Sequence, residues 1–218
     1  MNYLRNLYSE GIRLLLEDPN NPFNMLSNYI ADTLRKNGVE VKVIKYGDPD
    51  WNNEYVTPEN YFYLKLNDCD ISQVIFKTGR ASYYGSEYDI KSESLILQIH
   101  YIVIKNPTPV PGLYKAKIKK KTPGFSNREI TNLEWKGGKL AQLLSNDVIT
   151  TQKILTSLGP NDRISVSPDT KRRYVRIIHK TRVTIKKGDD VYNIIKACFS
   201  ASLFEGIEGV ARHVVNLI

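Results

Sequence analysis

From Leu95 to Ile104 the chain is apolar on both phases of a two-residue repeat, interrupted only by Gln98 and His100. Side chains of a strand point alternately to opposite faces, so a run apolar on both phases has to be covered on both. It therefore predicts a central strand, and a central strand needs neighbours. Candidates are present on either side. Val39, Val41 and Val43 alternate with Glu40 and Lys42, and Phe62, Leu64 and Leu66 alternate with Tyr61, Tyr63 and Lys65. Further strands are predicted over 71–77, 113–121, 129–135 and 163–167, and over 172–186 as the hairpin partner of 163–167. Thr78 to Ser86 reads as a hairpin loop.

Helical spacing appears elsewhere. Leu4, Leu7, Tyr8, Ile12 and Leu15 mark a helix over 3–18, and Phe23, Leu26, Ile30 and Leu34 mark a second. That second helix is capped by Asn21, begins at Pro22 and ends at Asn37-Gly38. Leu140 to Leu158 reads as one internal helix stopped by Gly159-Pro160. A terminal helical region follows Asp189-Asp190, with Gly206 and Gly209 expected to bend or divide it. Hairpin-linked strands with helices segregated from them describe an α+β fold. The expected architecture is a mainly antiparallel sheet with two N-terminal helices, one internal helix and a C-terminal helix packed against it.

With 218 residues the chain can bury a core without disulfides or metals. A single domain over 1–218 is the favoured organisation. The alternative is a division at 106–112, where Asn106-Pro-Thr-Pro-Val-Pro-Gly112 carries three prolines. It would separate a slightly acidic part, 1–105, from a basic part, 113–218. Because predicted strands flank this segment, it reads first as a stiff hairpin connection. Two cysteines far apart, Cys69 and Cys198, fit reduced thiols. No stretch has the apolar length of a membrane span or the pattern of a signal peptide, so the expectation is a soluble cytoplasmic protein.

Charge is unevenly placed. The formal net charge is +8, but residues 1–110 sum to −3 while 111–188 hold 18 basic and 5 acidic side chains. The basic block is also ordered. Lys115, Lys117, Lys119 and Lys121 fall on one parity of a predicted strand, against Tyr114, Ala116 and Ile118 on the other. Over 172–186, Arg172, Tyr174, Arg176, Lys180, Arg182 and Lys186 share the outward parity. If both strands lie in one sheet, these ten residues form a cationic face. Any antiparallel sheet with one wet face places polar residues on alternate positions, and lysine also guards edge strands. Cations concentrated to this degree point further, to an anionic partner, and nucleic acid is the partner favoured.

The sequence carries no HExxH, GxSxG, GxGxxG or CxxC motif, and a binder is favoured over an enzyme. No cofactor or metal site is read from it: His100, His179 and His213 have no ligand partner at metal spacing. Two alternatives remain. Pro49-Asp50 with Asp89-Ile90-Lys91 matches a loose pattern of divalent-metal-dependent nucleases, in which two carboxylates hold the metal and the lysine stabilises charge. A scaffold binding a small ligand or an anionic lipid, between the sheet and the terminal helix, is the third class. Trp135-Lys-Gly-Gly-Lys139 precedes a helix, where two lysines and free N–H groups can hold a phosphate, although a plain glycine turn accounts for it as well.

Overall fold

The computed structural model describes residues 22–45, 47–51, 62–83, 92–106, 108–121, 130–185, 193 and 196–217. Helix α1 (Pro22–Lys36) leads into strands β1 (Glu40–Lys45), β2 (Phe62–Asn67), β3 (Gln73–Tyr83) and β4 (Ser92–Ile104). A single helical turn, α2 (Pro111–Tyr114), precedes β5 (Ala116–Lys121) and β6 (Asn132–Gly137). Helices α3 (Lys139–Asn146) and α4 (Val148–Ser157), the hairpin β7 (Arg163–Asp169) and β8 (Tyr174–Ile185), and helix α5 (Ala201–Asn216) complete the order. The predicted helix over 3–18 and the cap at Asp189-Asp190 lie outside the described residues.

The fold is α+β. All eight strands form one antiparallel sheet in the order β1-β2-β3-β4-β8-β7-β5-β6. Leu95 to Ile104 belongs to its central strand, as the two-sided apolar pattern requires, with β3 on one side and β8 on the other. The chain enters β5 three positions away from β4, so residues 106–112 do not close a hairpin. They cross about 14 Å of sheet, at ~4.8 Å per strand, a span that a proline-stiffened segment suits. β3 also outruns its prediction: Thr78 to Tyr83 continues the ladder with β4 instead of looping.

All five described helices contribute to one large apolar cluster against one face of the sheet. Phe62, Leu64, Val74, Phe76, Leu97, Ile99, Tyr101, Val175 and Ile177 meet Ile30 and Leu34 of α1, Leu140 and Leu144 of α3 and Ile154 of α4. Leu203, Phe204, Ile207, Val210 and Val214 of α5 complete that layer. Burying each such side chain stabilises the fold by roughly 1.5–3 kcal/mol. The opposite face holds a second, smaller cluster of Ile44, Tyr63, Ile75, Ile102 and Tyr174, with Trp51 packed against it and no helix residue in it. Among the described residues no helix is long and apolar enough to cross a membrane.

Two expectations about helices are corrected. The helix predicted over 140–158 breaks at Asp147, whose backbone leaves the helical region (φ −91°, ψ 87°) and whose side chain accepts the Thr150 N–H at 3.0 Å. Its second carboxylate oxygen lies 2.8 Å from His213 Nε2 of α5. Burial works to raise the Asp147 carboxyl, but the bonds from Thr150 and His213 outweigh it and hold the group below the usual range. Nor is α5 divided at its glycines, since it runs unbroken from Ala201 to Asn216. Gly206 and Gly209 let it lie close on α4: a Cβ on Gly209 would sit 2.2 Å from Thr150 Oγ1, and one on Gly206 2.7 Å from Ile154 Cγ1.

This contact has a measurable sign. Alanine is worth about 1 kcal/mol more than glycine in a helix interior, yet Gly209→Ala is expected to destabilise the protein by about 1–3 kcal/mol through overpacking. Adding Thr150→Ala should recover much of the loss. Urea midpoints of the single and double variants check both.

Candidate anion-binding face

One row of cross-strand partners traverses the whole sheet on the face away from the helices. It runs Ile44, Tyr63, Ile75, His100, Ile178, Ser165, Lys117 and Lys136, one residue from each strand. The row is apolar at its β1 end and cationic at its β6 end. A flanking row runs Lys77, Gln98, Lys180 and Arg163, and the other contains Lys42, Lys65, Gln73, Ile102, Arg176 and Ser167. β5 and β8 thus share a sheet, with β7 between them, and direct their cations to one face. Lys117, Lys119, Lys121, Lys180 and Arg182 are exposed there, and Arg176 is half-buried.

Three expected members of the face behave differently. Lys115 precedes β5 and caps α2, because the chain turns helical at Pro111; its carbonyl instead receives the Gly138 N–H at 2.8 Å. Arg172 is in the β7–β8 turn, with Nη1 3.4 Å from Tyr174 Oη. Tyr174 has the expected parity but is buried in the small cluster, and the Arg176 guanidinium lies 5.9 Å from its ring centre. It is not an open stacking platform. Lys186 lies outside the described residues. Arg163, which was not singled out from sequence, joins the face, as does Lys136, which the sequence offered only as part of a separate phosphate site at Trp135 to Lys139. Arg163 was legible in principle, since Arg163, Ser165 and Ser167 alternate with Ile164 and Val166.

Like charges stand directly opposite one another at three places: Lys42 and Lys65, Lys117 and Lys136, and Arg163 and Lys180. Such pairs destabilise a ladder unless something neutralises them. At the first, the Asp50 carboxylate bonds Lys42, and both Lys42 and Lys65 hold it below its usual range. At the second, Glu134 pairs with Lys136 and also feels Lys119 and Lys121. At the third, no carboxylate comes within ion-pair distance among the described residues. The nearest in sequence, Asp162, turns to the helix side. Its Oδ2 accepts the Gly159 N–H at 2.7 Å and its Oδ1 lies 3.5 Å from His179 Nε2.

Beyond Lys117 and Ser165 the pairing of β5 with β7 stops, while β5 stays paired with β6 to Lys121. The two strands diverge around a half-open cleft of ≈ 780 Å³. Six basic residues line it (Lys117, Lys119, Lys120, Lys136, Arg163 and Lys180) with Ile118, Ile164 and Ile178, and Asp162 is the one acidic residue among its described lining. Lys120 ties its walls together, donating from Nζ to the Gly159 and Pro160 carbonyls at 2.7 and 3.0 Å. Burial pushes the Lys120 ammonium below its ordinary pKa, although Asp162 works against the shift.

The other candidate chemistry is less well placed. Asp50 is engaged by Lys42, and Asp89 and Lys91 lie outside the described residues. Among the described residues no three His, Cys, Asp or Glu side chains are grouped to hold a metal. Burial pushes the Cys198 thiol up to about 11, with Asp162 adding to it, the reverse of what a nucleophilic thiolate needs. Gly137 and Gly138 are explained by packing, because a Cβ on them would meet the Lys115 and Gly112 carbonyls at 2.1 and 1.9 Å. Comparison with models of protein families, with curated proteins and with solved structures gives no significant match to this chain.

His100 reports on this face. Burial, with Lys77 and Arg176 nearby, pushes its pKa down to about 4. Between pH 6.5 and 4 the unfolded chain takes up a proton that the fold refuses, so stability falls as pH drops through that window and levels off below it. The loss amounts to at most about 3 kcal/mol. The depressed carboxylates act only lower, near and below pH 4. Urea unfolding at pH 7, 5 and 4 should show a drop that His100→Gln largely removes.

Proposed function

We propose that the protein is a non-enzymatic binder of nucleic acid, holding the sugar–phosphate backbone on the sheet face formed by Lys117, Lys119, Lys121, Lys136, Arg163, Arg176, Lys180 and Arg182. The observation that carries this reading is the opposed pair Arg163 and Lys180, which no carboxylate of the described residues neutralises, while the similar pair Lys42 and Lys65 has Asp50 beside it. A polyanion supplies at one end of the sheet what Asp50 supplies at the other. The open part of this face has no exposed aromatic side chain among the described residues, since Tyr63 and Tyr174 are buried. Phosphate contacts without base-edge contacts hold a chain in register but do not read its sequence. Binding on the face is therefore expected to be largely sequence-independent and steeply sensitive to salt.

The measurement is the affinity for a labelled oligonucleotide across a salt series. Each neutralised phosphate contributes roughly −0.7 to the log–log slope for a single strand and −0.9 for duplex. Replacing Lys117, Lys119, Arg176 and Lys180 together by Ser should flatten the slope by about 3–4 and weaken binding on the order of a hundredfold at low salt. An unchanged affinity would remove the face from the interaction.

A further inference from the structure

We propose that the cleft between β5 and β7 seats one nucleotide of a single-stranded segment, with phosphate on the cations of its rim and the base on Ile178. The inference rests on the face binding nucleic acid and adds which form of it is preferred. Three observations lead to it. The first is the composition of the walls. Lys117, Lys119, Arg163 and Lys180 supply charge on the open side, and Ile178 supplies apolar surface among them, while Ile118 packs against the large cluster on the helix side. Ile178 is half-buried on this face and joins neither apolar cluster of the described residues, so packing among those residues does not explain it. A ligand matching both has a flat apolar part and an anionic part close together, as a nucleotide does and a bare phosphate does not. Unstacked bases rest on side chains through their faces and are not offered that way by intact duplex.

The second observation is size. A cleft of ≈ 780 Å³ falls within the roughly 300–1,000 Å³ of small-ligand sites. The third is the Lys120 tether, which argues against the other extended polyanion, an acidic peptide added as a strand to the free edge of β5. Only residues 118 and 119 lie between the last β5–β7 pair and the bonds from Lys120 to the 159 and 160 carbonyls. That is less edge than the roughly three to ten residues of an ordinary strand. Gln98 and Ser165 also line the cleft and offer groups to a base edge, the Gln98 Oε1 lying 3.3 Å from His100 Nε2.

The test compares a labelled single strand with blunt duplex of the same length, at fixed salt, for the wild type and for Ile178→Ser. The wild type should favour the single strand by about tenfold, on the order of what burying one apolar side chain contributes. Ile178→Ser should lose most of that preference while keeping its duplex affinity and salt slope, with urea unfolding confirming that it folds. Equal binding of single strand and duplex by the wild type, or a preference that survives Ile178→Ser, overturns the nucleotide site and leaves the face intact. Polyglutamate competing as well as the single strand overturns it in favour of a peptide. Failure to bind either oligonucleotide at low salt overturns the face and the cleft together.

Discussion

The pairing of β4 with β8 is the constraint on which the rest of the structure depends. Twelve residue pairs, from Glu93 and Ile185 to Ile104 and Tyr174, join the acidic first half of the chain to the basic second half. The contact is non-local, and forming it carries the loop-closure entropy of the chain between the strands. Its register decides everything on both faces. A slip of one residue would turn Ile177 and His179 towards solvent and bring Arg176 and Lys180 beneath the helices. The apolar set on the helix side, Leu97, Ile99, Tyr101 and Val103 facing Val175 and Ile177, makes that slip costly. The placement of the cations is thus a by-product of where the core insists on lying.

Much of this was legible because period two is a local property. The parity of Lys117, Lys119, Arg176, Lys180 and Arg182 follows from apolar neighbours one residue away, and the antiparallel α+β class follows from the succession of such segments. Strand order did not follow. Residues 106–112 look equally like a tight connection and a long crossing, and only the non-local pairing of β4 with β8 distinguishes them. Burial was misjudged at Tyr174 for a related reason: its parity is right, but Ile44, Tyr63 and Trp51 arrive from distant parts of the chain to cover it. The helix break at Asp147 has a local cap, the Thr150 N–H, while the second oxygen of the same carboxylate meets a histidine 66 residues away that no local pattern reveals. Gly206 and Gly209 read as weak points in isolation and become close contacts only once α4 lies beside them.

The site itself divides along the same line. The charged residues of the face could be found one by one, and Arg163 could have been added by the same alternation. The cleft could not, because it arises where two strands part company after two residue pairs, and nothing in Lys115 to Lys121 marks where pairing ends. The way each opposed cationic pair is handled is likewise a tertiary fact: Asp50 reaches Lys42 from a loop, whereas Asp162 is turned away by its bond to Gly159 and its approach to His179.

The row from Ile44 to Lys136 has a consequence for encounter as well as for contact. Its apolar residues lie at one end and its cations at the other, and Asp50 offsets Lys42 and Lys65 beside the apolar end, so the uncompensated charge of the face is weighted toward the β5–β6 side. A charged surface of this kind acts at a distance of about a Debye length, roughly 8–10 Å in physiological salt. A polyanion of the kind proposed would be met first by the β5–β6 end and turned before it touched, so the field would select the orientation of arrival as well as the rate.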